Sequence, residues 1–298
     1  MLEDDVSDVT VTAAKGLDTI SGQEIREFDY AKLDHKNEIR LFQMLPDDEA
    51  DPDRLNATLI HASLECPPDE YIAISYCWGD PTRTHRLWLN KTQYLPITAA
   101  AAHVLGHVIP EKYLWMDAVC INQQDVEEKT WQVRIMWGIY RQAEFVAAWL
   151  GGLEEDVDLA LQLIYDVKHV NTTEIVTGRK AVWLPMPDGK PMIGELDLCS
   201  PPWVALRKLL CRPWFRRLWT IQEMVAAKEI WITCGNESLK WDDLTAMIKE
   251  LDSFNQIHIL SLDEQSFTQH LSLSHGVDRI RQIEKLRQGL KHGRRNTM

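Results

Sequence analysis

The chain has 298 residues, with 32 Lys and Arg against 45 Asp and Glu, which gives a formal net charge of −13 at pH 7. Apolar residues make up 45% of the sequence and charged residues 26%, which excludes a disordered chain, a collagen and a simple coiled coil. The acidic balance also argues against a general nucleic-acid binder, because such a protein needs a basic surface to meet the phosphates.

The cysteine pattern and the N-terminus indicate the compartment. The six cysteines form neither a CxxC pair nor a zinc-finger spacing, so no metal site is predicted. The first residues lack the pattern of a signal peptide, and no apolar run approaches the roughly 18 residues of a membrane helix. We therefore expect a cytoplasmic protein without a membrane span.

An acidic segment, residues 1–24, opens the chain and is predicted to be flexible because it shows no sustained hydrophobic period. After it, the first half predicts in order strands over 38–45, 55–64 and 71–76, a hairpin over 86–97, a helix over 99–108, a strand over 113–119 and a helix over 126–143. The run over 71–76 is almost continuously apolar, as expected of a strand buried on both faces.

The second half continues the alternation of strands and helices. It predicts a strand over 145–150, a helix over 153–168, helices over 203–211 and 213–227, a strand over 229–234, and helices over 241–251 and 277–291. Five prolines and three glycines over 171–202 indicate an insertion. The basic C-terminal helix, 277–298, is interpreted as a solvated face, with a nucleic-acid or lipid tail as the alternative.

This rhythm is typical of an α/β fold with a parallel sheet flanked by helices, here with an N-terminal β extension and insertions. In such folds ligands bind beyond the carboxyl ends of the strands. Three polar clusters lie at or near predicted strand ends, over residues 75–80, 117–125 and 212–223.

The third cluster carries an unusual pattern of charge. Four of its residues, spaced by four, three and four, are predicted to share one helix face: Arg212, Arg216, Trp219 and Glu223. Glu223 has no basic residue three or four positions away, so we expect an exposed carboxylate at the mouth of a pocket. The alternative is that Glu223 faces water or pairs with Arg134 or Arg141 from another element.

Three segments together resemble the signatures of the fungal heterokaryon incompatibility (HET) domain. They are Tyr71–Asp80 (YIAISYCWGD), Leu114–Asp125 (LWMDAVCINQQD) and Arg212–Glu223 (RPWFRRLWTIQE). The core motifs span 71–223, and the domain is assigned to 25–298. One departure is Lys129, where the family usually has Arg after Glu128, so the bidentate fork that could hold an anion is lost.

HET domains have been likened to Toll/interleukin receptor (TIR) domains, some of which hydrolyse NAD. Ile74-Ser75-Tyr76 followed by Asp80 is similar to the first TIR strand and loop, and Trp219-Thr-Ile-Gln-Glu223-Met is similar to the TIR segment that carries the catalytic Glu. The resemblance implies a TIR-like (flavodoxin-like) sheet and makes Glu223 the candidate catalytic residue. NAD would be a substrate, and no cofactor is implied.

The candidate substrate-binding residues are Ser75, Trp78, Asp80, Asp117, Asn122, Arg212, Arg216 and Trp219. A tryptophan would stack on a ring of NAD, the arginines would hold the pyrophosphate, and the strand-end polar residues would complete the ribose site. The structural alternatives are core packing for the tryptophans, ion pairs for the arginines and loop caps for Asp117 and Asn122.

The resemblance implies an effector of non-self recognition and regulated cell death, with self-association and a partner protein of the NLR-like or another incompatibility class. Its hypothesised activity is hydrolysis of NAD to nicotinamide and ADP-ribose. Whether the chain is an enzyme stays open, because a non-enzymatic signalling and assembly module would carry the same motifs.

Overall fold

The computed structural model describes residues 19–20, 23–34, 37–46, 51–110, 112–153, 156–168, 175–176, 179–180, 200–253 and 267–295. In this part of the chain, one seven-stranded sheet is flanked by helices and accompanied by three smaller sheets. The predicted α/β class is therefore confirmed, whereas the TIR-like identity of the sheet stays a prediction. Most of segment 1–24 and of insertion 171–202 lies outside the described residues.

The strands, in chain order, are β1 Thr19–Ile20, β2 Gln23–Glu24, β3 Arg26–Glu27, β4 Glu38–Met44, β5 Ala57–Ser63, β6 Tyr71–Ser75, β7 His85–Trp88, β8 Gln93–Ile97, β9 Tyr113–Trp115, β10 Val146–Gly151, β11 Ile175–Val176, β12 Arg179–Lys180, β13 Ile230–Cys234 and β14 Glu237–Lys240. The helices are α1 Ala99–Leu105, α2 Asp117–Cys120, α3 Val126–Gln142, α4 Val157–Lys168, α5 Pro201–Leu210, α6 Trp219–Ala226, α7 Trp241–Ser253 and α8 Phe267–Arg295. A 3₁₀ turn, Pro213–Arg216, precedes α6.

The large sheet has a parallel centre and antiparallel edges. Its order is β14-β13-β10-β6-β9-β4-β5, and the strands from β13 to β9 are parallel neighbours. The other three strands pair antiparallel at the two edges. Counted along the chain, the parallel strands lie in the order 2-1-3-4, so the direction of winding reverses between β6 and β10. A crevice is expected beyond the carboxyl ends of the strands at such a switch point, and Ser75 ends β6 there.

Local sequence explains where α1 and α3 begin. Thr98 caps α1, since its hydroxyl accepts from the backbone N–H of Ala101 at 3.2 Å. Asp125 caps α3, and its carboxylate accepts from the N–H groups of Glu127 and Glu128, both at 3.0 Å. Thr and Asp immediately before a helix are the residue types preferred as N-caps, so the local sequence accounts for both starts.

Two predicted elements are wrong in ways that matter for the site. The strand predicted over 113–119 ends at Trp115, and Asp117 begins the short helix α2, because a continuous apolar run does not distinguish strand from helix. The helix predicted over 213–227 is broken, since Arg217 is extended at φ −71° and ψ 135° between the 3₁₀ turn and α6. Strand β14 was not predicted.

None of the described helices combines the length and apolar character that a membrane crossing requires.

Close packing of α8 against α5 gives a first testable prediction. A Cβ atom at Gly276 would overlap the backbone carbonyl oxygen of Leu210, so Gly276→Ala must push the two helices apart. We expect the free energy of unfolding in urea to fall by about 1–3 kcal/mol. Gly289 is the matched control in the same helix, because a Cβ there meets nothing within 4 Å. Gly289→Ala should stabilise the protein by up to ~1 kcal/mol, and equal effects of the two variants would contradict the packing.

Candidate active site

A buried hydrogen-bonded chain lies at the carboxyl end of β6. The hydroxyl of Ser75 donates to Oε2 of Glu223 and accepts from the indole Nε1 of Trp214 at 2.9 Å. Ser75 is 1% exposed and Glu223 3% exposed. Burying a carboxyl group is costly unless it is hydrogen-bonded or neutral, so this chain of three side chains is what keeps Glu223 inside. The expectation that Glu223 is exposed at a pocket mouth is wrong.

The electrostatics of Glu223 follow from this enclosure. Burial raises the pKa of the Glu223 carboxyl from 4.5 to about 7, and the nearby Asp117 adds to the rise. The hydrogen bond from Ser75 and the charge of Arg217 act in the opposite direction. A carboxyl group with this pKa exchanges its proton near neutral pH, which suits both a base and an ionised group facing a cationic centre.

The guanidinium that acts on Glu223 belongs to Arg217, which the sequence reasoning missed. Its side chain donates to the carbonyl oxygen of Tyr76, the residue after Ser75. The extended backbone at Arg217 turns the chain before α6 begins. Helical spacing counted through this break therefore assigned the wrong arginines to the face of Glu223, and only the hydrogen bond in the folded structure identifies Arg217.

A second pair, half-buried, lies beside the first. The indole Nε1 of Trp78 donates to both carboxylate oxygens of Asp117, at 3.0 and 3.2 Å. The backbone carbonyl of Asp117 accepts from Nε2 of Gln123 at 2.8 Å. Burial raises the pKa of Asp117, and the Trp78 hydrogen bond opposes that rise. The loops after β6 and β9 are thereby joined at one end of the sheet.

A family model for the heterokaryon incompatibility protein (HET) matches residues 71–223, the stretch that contains Ser75, Asp117, Arg217 and Glu223. The chain is also 30% identical over 254 residues to "Heterokaryon incompatibility protein 6, OR allele" of Neurospora crassa. That alignment covers 73% of this chain and 36% of the relative, so the chain spans about a third of the relative's length.

This chain belongs to the HET family.

No solved structure matches the HET chain. The structure itself shows which residues each of the three HET motifs contributes to this end of the sheet. The first motif contributes Ser75 and Trp78, the second contributes Asp117, and the third contributes Arg217 and Glu223. Motifs that are far apart in the sequence thus meet at the carboxyl ends of β6 and β9.

Four candidate residues of the HET chain take positions outside the Ser75–Glu223 chain. Arg212 is turned toward Gly152, to whose carbonyl both terminal nitrogens donate at 3.3 Å, and Arg216 is exposed on the 3₁₀ turn. Asp80 is exposed and accepts from the backbone N–H and the hydroxyl of Thr82 at 2.8 and 2.6 Å. Trp219 is 51% exposed in a surface groove. The predicted common face of Arg212, Arg216, Trp219 and Glu223 is wrong because of the break at 217.

The backbone of Asn122 is held by an ion pair that was not predicted from the sequence. The backbone N–H of Asn122 donates to Oε1 of Glu128 at 2.7 Å. The same carboxylate receives both terminal nitrogens of Arg40, at 2.6 and 2.9 Å. Glu128, which follows the second HET motif by three residues, therefore holds the loop after α2. The signal in the sequence was Arg40 itself, a charge between Ile39 and Leu41 in an otherwise apolar strand.

Proposed function

We propose that this HET chain acts in heterokaryon incompatibility as a cell-death effector, and that its activity is hydrolysis of NAD to nicotinamide and ADP-ribose at Glu223. The observation that supports the proposal is the buried Ser75–Glu223 pair at a strand end, with the pKa of the carboxyl raised to about 7. Strongly perturbed carboxyl groups at such positions are typical of functional sites. A TIR-like sheet, self-association and an NLR-like or other incompatibility partner belong to the same proposal.

The chemistry needs one carboxylate. The bond between C1′ of the ribose and the pyridinium nitrogen breaks, and its electron pair stays on the nitrogen, so neutral nicotinamide leaves without a general acid. The ionised Glu223 stabilises the oxocarbenium-like centre at C1′. Water adds its oxygen to C1′ from solvent, and its proton passes to Glu223 and then to solvent. Each turnover therefore releases ADP-ribose, nicotinamide and one proton.

Because Glu223 is enclosed, NAD can reach its carboxyl group only if the surrounding structure opens. Glu223 is 3% exposed and accepts from Ser75, and Arg217, whose charge acts on the carboxyl group, donates to the Tyr76 carbonyl. The proposal therefore includes a displacement of Arg217 from Tyr76 when NAD binds. In this proposal self-association displaces Arg217, because Leu218 and Trp219 follow Arg217 directly and are exposed to a partner chain.

The test in cells compares two carboxylates of the same chain. Expression of the wild type in a fungal host is expected to lower the cellular NAD content and arrest growth, and Glu223→Gln to abolish both effects. Glu229→Gln is the matched control, since Glu229 is half-exposed and pairs with Lys240 at 3.3 Å. Growth arrest with an unchanged NAD content would overturn NAD hydrolysis.

A second candidate function, assembly without catalysis, is favoured by an apolar surface groove. The groove is lined by residues of α3, α6 and α8 and by the residue before α6, among them Trp137, Leu218, Trp219, Leu286 and Leu290. Leu218 is 73% exposed, and contiguous apolar surfaces of this kind mark interaction sites. A second copy of the chain is the partner that this candidate requires.

Replacing the exposed apolar side chains tests assembly. The double variant Leu218→Ser, Trp219→Ser should reduce self-association in sedimentation experiments and abolish growth arrest. Leu159→Ser, on the exposed side of α4, is the control and should change neither. If assembly alone kills the cell, Glu223→Gln stays toxic while the double variant does not. Toxicity of the double variant at the wild-type level would rule out the groove.

A further inference from the structure

A cavity lies on the face of the large sheet opposite the Ser75–Glu223 chain. Neighbouring side chains of a strand point to opposite faces, so Ile72 and Ile74 of β6 point away from Ser75. Both isoleucines line the cavity, whose volume is about 630 Å³. Sites for small molecules have volumes of about 300–1,000 Å³, so this cavity has the size of a ligand site. The sheet separates it from the candidate active site.

The winding of the chain explains why this face is hollow. Helix α1 lies on it, since the rings of His103 and His107 contact Trp149 at centroid distances of 5.6 and 5.1 Å, but α1 has only seven residues. After β9 the sheet grows in the other direction, and right-handed crossovers then place helices on the opposite face. There Tyr71 donates to the Ile139 carbonyl of α3 at 2.6 Å. Both faces of a parallel sheet are normally covered, so the space beside α1 suits an apolar occupant.

The floor and walls of the cavity suit an aromatic body. The strand register places Ala147 beside Trp231 on the floor. The rings of Trp231 and Phe145 form one wall, with centroids 6.3 Å apart. Nζ of Lys240 lies 5.0 Å from the Trp231 ring centroid, so this ring already stabilises a positive charge. The wall therefore accepts a cation as well as an apolar group.

The charged side chains that line the cavity are three carboxylates, Glu144, Glu229 and Glu237. Two of them are paired, because Lys112 lies 3.7 Å from Glu144 and Lys240 lies 3.3 Å from Glu229. Glu237 is exposed, and among the described residues its carboxylate has neither an ion pair nor a hydrogen bond. The cavity thus keeps one excess negative charge, and Glu237 is the carboxylate that a ligand can pair with.

His107 adds a second acceptor. Its Nδ1 lies 2.7 Å from the carbonyl oxygen of His103, which can only accept, so Nδ1 carries a proton and donates. In the neutral ring Nε2 is therefore an acceptor. The charge at Glu237 and this acceptor both disfavour a carboxylate or phosphate group in the ligand and favour a group that donates.

We propose that this cavity binds a lipophilic amine, whose aromatic body packs beside Phe145 and Trp231 and whose ammonium group pairs with Glu237. The site goes beyond NAD hydrolysis and does not depend on it, because Glu223 lies on the other side of the sheet.

Titration of the whole chain with three compounds that share an indole ring tests the site by ligand-observed NMR. Tryptamine carries an ammonium group, tryptophol a hydroxyl group and indole-3-propionate a carboxylate. We expect tryptamine to bind with a dissociation constant below about 1 mM and about tenfold more tightly than indole-3-propionate, with tryptophol between them. No binding of tryptamine at several millimolar, or equal binding of indole-3-propionate, overturns the proposal.

Two variants of the cavity locate the bound amine. Ala147→Phe fills the floor and is expected to abolish tryptamine binding. Glu237→Gln should weaken tryptamine binding about three- to tenfold and leave tryptophol binding unchanged, since only the ammonium group loses a charged partner. Glu237 is exposed, so the melting temperature of this variant should equal that of the wild type. Unchanged tryptamine affinity in Glu237→Gln would overturn the assigned contact.

Two further variants on the other face of the sheet serve as controls. Glu127→Gln changes an exposed carboxylate of α3, and Glu223→Gln changes the candidate catalytic residue. Both should bind tryptamine as the wild type does, whether or not the chain hydrolyses NAD. Loss of tryptamine binding in Glu223→Gln would place the amine at the candidate active site and overturn the separate cavity.

Discussion

The free energy of unfolding of the wild type is expected to fall as the pH rises from about 4.5 to about 7, and Glu223→Gln is expected to remove this fall. The unfolded chain ionises Glu223 near pH 4.5, whereas burial raises the pKa of the folded state to about 7. Between these values the folded state holds the proton that the unfolded state has lost, so stability decreases with pH and levels off above about 7. Gln is neutral throughout and keeps an oxygen that can accept from Ser75.

The expected difference between the two proteins is large. The difference between the unfolded pKa of 4.5 and the folded pKa of about 7 corresponds to roughly 3 kcal/mol of unfolding free energy, which the wild type has lost at pH 8. Urea unfolding at pH 4.5, 6, 7 and 8, with the variant compared to the wild type at each pH, measures it. Glu229→Gln should retain the wild-type pH dependence because Glu229 is half-exposed. Parallel curves for Glu223→Gln and the wild type would show that the carboxyl group is not buried as described.

Glu128→Ala is expected to destabilise the protein by about 3–5 kcal/mol, since the buried Arg40 guanidinium would lose its only described carboxylate partner. Arg40 is fully enclosed, and only the carbonyl oxygens of Cys120 and Ala31 would continue to accept from it among the described contacts. The N–H of Asn122 would also lose its acceptor, so the loop at the site should loosen.

The exposed pair between Lys240 and Glu229 provides the comparison. Both side chains are half-exposed, so Glu229→Ala should cost at most ~1 kcal/mol in urea unfolding. The double variant Arg40→Met, Glu128→Leu should recover much of the loss, because a buried ion pair can often be replaced by apolar side chains. A loss below ~1 kcal/mol in Glu128→Ala would contradict the buried pair.

Much of the fold could be predicted from local sequence. The apolar run over 71–76 predicted a strand buried on both faces, and all five residues of β6 are buried. Thr98 and Asp125 marked the starts of α1 and α3 because capping is a local interaction. The grouping of Ser75, Trp78 and Asp117 at strand ends followed from the rule for parallel sheets.

The site could not be predicted in detail because its contacts join distant parts of the chain. Nothing near Arg217 in the sequence shows that its backbone is extended, and this one residue displaced Arg212 and Arg216 from the face of Glu223. The pair of Arg40 and Glu128 is separated by 88 residues. Periodicity describes one element at a time and carries no information about such pairs.

Turnover of NAD by purified protein is the sharpest test of the proposed hydrolysis at Glu223. Wild-type chains clustered through a fused oligomerisation tag are to be incubated with NAD beside Glu223→Gln and Glu229→Gln, and products identified by mass spectrometry. We expect equal amounts of nicotinamide and ADP-ribose from the wild type and from Glu229→Gln, and neither from Glu223→Gln. NAD left intact by clustered wild-type protein, or turned over equally by Glu223→Gln, would rule out hydrolysis at Glu223.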